Sequence, residues 1–304
     1  MASDLRASRR CARLMLGMQT NVRCATPEDW LAVKTLIYGA RHSMPDLWWW
    51  EEYLGDELFV VSQGGAGLVG AFLACPDASP VAWVRIAALE DGMEVVPWLQ
   101  QVLPIALAAL RRRQAQILAW LDYRGWASPH LAAVGFRRLT DVVTMIKTDR
   151  HLPLPRWSDI TLRPATQADV PAVVAVDRAA FAPHWWNSAA TLRRRYARSS
   201  CFAVAEQGGE IIGYAEAERR SSSAHINRIA VLPAHQGGGV GSALLAYALR
   251  RLWHAGAEHI TLNTQTDNVA SLRLYRRFGF EPLGERIAAW ERPTDDASAL
   301  SAPP

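Results

Sequence analysis

Apolar positions in the second half of this chain switch between a period of about two and a period of about 3.6, the spacings of strands and helices. ADVPAVVAVDRAAF (168–181) carries apolar residues at helical spacing, as does GSALLAYALRRLWHAG (241–256), where Gly256 supplies a stop. CFAVAEQ (201–207) and EIIGYAEAER (210–219) read as two strands of a hairpin turning on Gly208-Gly209. ITLRPAT, AHINRIAVL and HITLNTQ read as further strands, SAATLRRRYARS and NVASLRLYRRFG as further helices, and EPLGERIAAWE as the closing segment. The order β-α-α-β-β-β-α-β-α-β predicts an α/β (mixed α+β) domain, a central mostly antiparallel sheet flanked by helices.

The same pattern occurs twice. VRCATPED at Val22 resembles LRPATQAD at Leu162, and FVVSQGGAGLVG at Phe59 resembles FAVAEQGGEIIG at Phe202. RIAAL at Arg85 returns as RIAVL at Arg228, and VGFRRL as FGFEPL. The four blocks keep their order at offsets of 140, 143, 143 and 144 residues. Two tandem copies of one domain are expected. TDRHLPLPRWSD, with Pro153 and Pro155, marks the join. The expected division is a leader at 1–20, a first domain at 21–149, a linker at 150–158, a second domain at 159–292 and a disordered tail at 293–304.

Composition narrows the classes. Half of the 304 residues are hydrophobic, enough for two cores, and the formal net charge is only +4. Lys34 and Lys147 are the only lysines, and no basic block is interleaved with aromatics, so no nucleic-acid partner is expected. No apolar run is long enough to cross a bilayer, and no membrane partner is expected. Cys11, Cys24, Cys75 and Cys201 form no CxxC pair, which argues against a disulfide framework or a zinc site and fits a cytoplasmic location; no metal is expected.

LPAHQGGGVGSALLAYALRR puts Gly237, Gly238, Gly239 and Gly241 between a strand and a helix. Free N–H groups converge at such a place and the helix dipole adds positive potential, which makes an anion site. A Walker loop would need Lys before Ser242, and the spacing does not fit a dinucleotide fingerprint. Gln236-x-x-Gly239-x-Gly241 after RIAVLP resembles the acyl-CoA pyrophosphate motif of the GNAT superfamily of N-acetyltransferases. NVASLRLYRRFGF resembles the family's second motif, with Asn268, Ser271, Tyr275, Gly279 and Phe280 in place. The likeness covers residues 160–292, and 21–149 more weakly through the repeat. In the first copy the glycine segment is replaced by DGMEVVPW, where Glu90, Asp91 and Glu94 would repel phosphates and Pro97 interrupts. That copy is expected to keep the fold without the cofactor site.

The resemblance implies acetyl transfer from acetyl-CoA to an amine acceptor. It implies a cofactor cradle of Ile229, Ala230, Val231, Gln236, Gly237, Gly238, Gly239, Val240, Gly241, Ser242, Asn268 and Ser271, with a main-chain N–H near Ala230 and Val231 facing the oxyanion. Tyr275 takes the place of the general acid. Protein N-terminal acetyltransferases of the family often have Glu on the strand before the Asn motif; here that position is Asn263, and an amide cannot take a proton. Another family position for the base holds His225, with Glu216 and Glu218 as rivals. Trp185 and Trp186 fall where the fold borders an acceptor pocket, although the first copy has Trp48, Trp49 and Trp50 in the corresponding place. Acceptors left open are small amines, protein N-termini and, by analogy with the tandem member mycothiol synthase, a small-thiol precursor; a non-catalytic acyl-CoA sensor is the alternative from another class. Oligomeric state is not implied.

Overall fold

The computed structural model describes residues 21–45, 49–78, 80–153 and 159–295. The expected leader at 1–20 lies outside them. The chain forms two compact units that differ from its two linear halves. Among the described residues, one unit falls within 21–76, 82–137 and 290–295, and the other within 77–81 and 138–289.

In the first unit the strands are β1 (Asn21–Cys24), β2 (His42–Pro45), β3 (Phe59–Gln63), β4 (Leu68–Pro76), β5 (Val81–Leu89) and β6 (Ile117–Asp122). Its helices are α1 (Trp30–Gly39), α2 (Val95–Arg112) and the short α3 (Ser128–Leu131). The sheet runs β1-β3-β4-β5-β6, with β2 also bonded to β5. The core is aromatic: Trp98 and Trp120 meet Phe72 edge-on, at 6.2 and 5.8 Å between ring centroids.

The main stretch of the second unit opens within β7 (Arg137–Lys147), which is followed by β8 (Thr161–Pro164), α4 (Val170–Ala180), α5 (Ala189–Arg198), β9 (Cys201–Gln207), β10 (Glu210–Arg220) and β11 (Ser223–Val231). Then come α6 (Val240–His254), β12 (His259–Gln265), α7 (Val269–Arg277) and β13 (Glu281–Pro293). The strand order is β8-β9-β10-β11-β12-β7-β13. The β11–β12 pair is parallel, while the β8–β9, β9–β10, β10–β11 and β12–β7 pairs are antiparallel, so the sheet is mixed as expected. Buried Leu244, Leu245, Leu249 and Leu252 of α6 pack with Ile260, Leu262, Phe278 and Phe280 on one face. Val173, Val176, Leu192 and Tyr214 form a smaller core on the other.

The repeated R-x-x-T-x-x-D block now has a physical reason. Thr166 and Asp169 form a capping box at the turn that leads into α4, and Arg163 meets Asp169 at 2.7 Å. Thr26, Asp29 and Arg23 repeat the arrangement before α1, with an ion pair of 2.6 Å. The Arg23 hydrogen bond holds the Asp29 carboxyl down at about 2.

Two boundaries differ from the sequence reading. β7 falls inside the expected first domain of 21–149, yet its residues from Arg138 belong to the second unit, because Val142 to Lys147 pair with Ile260 to Gln265 of β12. The expected tail does not start at 293: Pro293 ends β13, and Thr294 is buried, donating to the carbonyls of Gln116 and Ala115 at 2.8 Å each. Residues 296–304 of that tail lie outside the described residues.

Candidate active site

β11 and β12 run parallel and pair only from Ser223 to Ile226 on the β11 side. Beyond Ile226 the two strands part, and Ile229, Ala230 and Val231 line a cleft of about 500 Å³ in the second unit. A strand edge released in this way offers N–H and C=O groups to an extended ligand arm.

The glycine loop closes one end of the cleft. Gly237 and Gly239 have φ of +79° and +91°, a left-handed backbone that side-chain-bearing residues rarely adopt. Both line the cleft with Gly241 and Ser242, and Gly239 caps α6. Gln236 lines it too and donates from Nε2 to the Val231 carbonyl at 3.0 Å, tying the loop to the end of β11. Gly238 and Val240 of the expected cradle are not on this wall; Val240 is buried in the core. Arg273 and Arg277 of α7, four residues apart, also line the cleft, and Arg277 donates to the Ser242 hydroxyl. A helix N-terminus, bare main chain and two guanidinium groups suit a pyrophosphate-bearing ligand such as acetyl-CoA. The two arginines were not singled out in the sequence reading; their spacing within NVASLRLYRRFG was the available signal.

Asn268 caps α7, accepting from the Ser271 N–H at 3.1 Å. Tyr275 lies two turns further along the same helix. Asn268, Ser271 and Tyr275 line both the cleft and a recess of about 50 Å³ beside it, together with Phe181 and Ile229. Burial pushes the Tyr275 hydroxyl up to about 12, with smaller opposing pulls from Ser271 and Arg228. At neutral pH it is a proton donor.

The recess is completed by Ile226, Asn227, Arg228, Asn263, Thr264 and Gln265. His225, Glu216 and Glu218 line neither cavity. Burial drives the His225 imidazole down to about 4, Arg195 acting in the same direction, and its Nδ1 lies 2.8 Å from Thr261 Oγ1. Glu216 is fully buried, its carboxyl raised by burial against the pull of Arg195 at 3.0 Å. Glu218 pairs with Arg220 at 3.6 Å.

Trp185 and Trp186 also stay off both walls. The Trp186 indole donates to the Phe181 carbonyl at 2.8 Å, and the Trp185 carbonyl accepts from Arg228. Their segment instead presents Phe181, whose ring lies under the Arg228 guanidinium at 3.6 Å. Arg228 is fixed from behind by fully buried Asp177 at 2.8 and 3.0 Å, which also accepts from the Tyr214 hydroxyl at 2.5 Å.

The equivalent places in the first unit are filled by the chain itself. At the repeat offset of 143, Ile86, Ala87 and Ala88 correspond to Ile229, Ala230 and Val231, and β2 occupies their edge, with Met44 opposite Ala87 and Pro45 opposite Ile86. Trp98 corresponds to Gly241. Its buried indole donates to Ser62 Oγ at 3.1 Å, so close to Gly70 that a Cβ added there would meet it at 2.4 Å.

A sheet whose parallel strands part over a glycine-initiated helix, with a tyrosine on the facing helix, defines the class of acyl-CoA-dependent acetyltransferases. Residues 170–280 match the acetyltransferase (GNAT) family, and the chain belongs to that family. It is 31% identical over 132 residues to N-alpha-acetyltransferase RimI of Mycobacterium tuberculosis, covering 42% of this chain and 82% of that protein. It is 34% identical over 194 residues to a mycothiol acetyltransferase of Streptomyces griseus, covering 58% of this chain and 62% of the relative. The matched region thus spans less than two thirds of that relative's length. Among solved structures, a tandem GNAT protein from the clavulanic acid biosynthesis pathway superposes with a TM-score of 0.57 at 18% identity, covering 92% of this chain and 99% of that one, a likeness of fold.

Proposed function

We propose that this protein is an acetyl-CoA-dependent N-acetyltransferase acting on a primary amine in the cytoplasm, with its single reaction site in the second unit. The observation that carries this reading is the unpaired edge of β11, which opens onto the glycine loop at one end and Tyr275 at the other. The edge would hold the ligand's amide-bearing arm, the loop with Arg273 and Arg277 its phosphates, and the main chain near Ala230 and Val231 the oxyanion. The amine nitrogen bonds to the acetyl carbon as the C–S bond breaks. Tyr275 gives its proton to the departing thiolate, and the amine loses one.

The proton-accepting role rests with His225, Glu216 or Glu218, each of which would be reached from the recess through water. Asn263 supports a small amine over a protein N-terminus. The relatives named as mycothiol acetyltransferases support a mycothiol-type acceptor within that class. The test is thiol release from acetyl-CoA with phenethylamine, spermidine, glucosamine, a Cys-containing amine and a Ser-initiated peptide. Amine-dependent release supports the reading; tight acetyl-CoA binding with no release from any amine would favour a sensor.

A further inference from the structure

β10 and β11 lose register midway. Glu216 lies opposite Arg228 while Ala217 lies opposite Ile226, so Asn227 is the extra residue of a β-bulge. The bulge sets Asn227 on the wall of the recess shared with Tyr275. Asn227 Nδ2 donates to Glu216 Oε1 at 3.0 Å, and Arg195 Nη1 donates to Glu216 Oε2 at 3.0 Å. Each carboxylate oxygen thus receives one donor.

This arrangement fixes which way round the amide stands. A carboxylate only accepts, so the NH₂ of Asn227 must face Glu216 and its Oδ1 must face away. Glu216 is fully buried, so turning the amide over would break a buried hydrogen bond and set the amide oxygen against a carboxylate oxygen. Among the described residues, the lining of the recess includes no carboxylate that would hold an ammonium ion. A neutral amine brings N–H donors and a free lone pair, and an aligned acceptor oxygen uses one donor while leaving the lone pair to attack.

On the acetyltransferase reading above, we propose that Asn227 Oδ1 is the docking point for the acceptor's amino group. Glu216 and Arg195 are positioning residues that keep this amide oriented. The occupant is a neutral primary amine with one N–H on Asn227 and its lone pair toward the thioester. The acceptor's remaining groups play no part in this contact.

The test compares Asn227→Leu and Glu216→Gln with the wild-type full chain, using the most active amine of the panel above. Glu216→Gln keeps size and hydrogen-bonding capacity but lets the neighbouring amide turn over. Acceptor kcat/KM should fall about 10- to 100-fold in both variants, mainly through KM. The Kd for acetyl-CoA, measured by calorimetry on the same preparations, should stay within about twofold, which also reports that the fold is intact. Acceptor parameters within twofold of wild type in both variants would overturn this inference alone. A wild-type protein that fails to bind acetyl-CoA would bring down the acetyltransferase reading and this inference with it. If Glu216→Gln does not fold, Asn227→Leu decides the matter.

Discussion

Thr144 Oγ1 donates to Asn263 Oδ1 at 2.9 Å, joining a residue of the first half's last strand to a residue of the recess. The bond belongs to a ladder in which β7 covers β12 from Ile260 to Gln265 and sends Val143 and Met145 into the second unit's core. A fragment starting at residue 152 would contain every residue of the cofactor cradle but expose that edge. Losing the burial of Met145 alone costs about 1.5–3 kcal/mol. The fragment 152–304 is therefore expected to be poorly folded and to bind acetyl-CoA weakly, whereas 136–304 melts higher and binds. Equal melting temperatures for the two fragments would show that β7 is dispensable.

Gly241→Trp should copy into the second unit the plug that Trp98 forms in the first. Gly241 has no positive φ, and a Cβ there meets only Leu274 and Val231 at ordinary contact distances of 3.6 and 3.7 Å. The indole would enter the cleft without straining the main chain. Acetyl-CoA affinity should fall at least about 100-fold, while the melting temperature stays within a few degrees. Gly239→Glu, by contrast, adds backbone strain at φ +91° to charge repulsion, so its loss of binding would be harder to assign. Wild-type protein should titrate with one acetyl-CoA per chain; two sites would mean that β2 and Trp98 do not close the first unit.

The parts of this site that were legible in the sequence are local. The glycines, Gln236, Asn268, Ser271 and Tyr275 lie within single strand–loop–helix or helix segments, where spacing dictates placement. Gly238 and Val240 fell inside the same motif and yet face elsewhere, because a loop motif fixes a path rather than every residue's outlook. Asn227 was not legible, since its role comes from a bulge and from a carboxylate on the next strand. Phe181 was overshadowed by the tryptophans beside it. The position of β7 depends on pairing between residues 119 apart in sequence, and hydrophobic alternation carries no information about which strand is the partner.

Tyr275→Phe separates proton donation from positioning. The phenol is almost fully buried and its pKa stands at about 12, so it remains protonated throughout the ordinary working range. Removing the hydroxyl should lower kcat by about 10²- to 10⁴-fold with little change in acetyl-CoA Kd. The wild-type rate should show no falling limb from Tyr275 below about pH 11. A variant retaining more than a tenth of wild-type kcat would assign Tyr275 to packing against Phe280, whose ring centroid is 5.9 Å away.

His225 gives the chain a specific acid sensitivity. Its folded-state pKa, lowered by burial to about 4, lies below the ordinary value of 6.5 that it regains on unfolding. Well above pH 6.5 both states hold the ring neutral, and the group adds no pH dependence. As pH falls from 6.5 toward 4, the unfolded chain takes up the proton and the folded chain resists it, so stability declines. The full difference corresponds to about 3 kcal/mol, and most of it is reached by pH 4. His225→Gln removes the titration, so its melting temperature should fall less between pH 7.5 and pH 5 than that of the wild type. The same variant tests the base assignment: a neutral ring with so low a pKa is a weak proton acceptor, and kcat/KM at pH 8 should drop less than tenfold if water or Glu216 receives the proton instead. A drop of 10²-fold or more, with acetyl-CoA affinity unchanged, would return His225 to the role of general base. Parallel melting profiles for wild type and variant across the pH range would show that the ring is hydrated and titrates near its ordinary value.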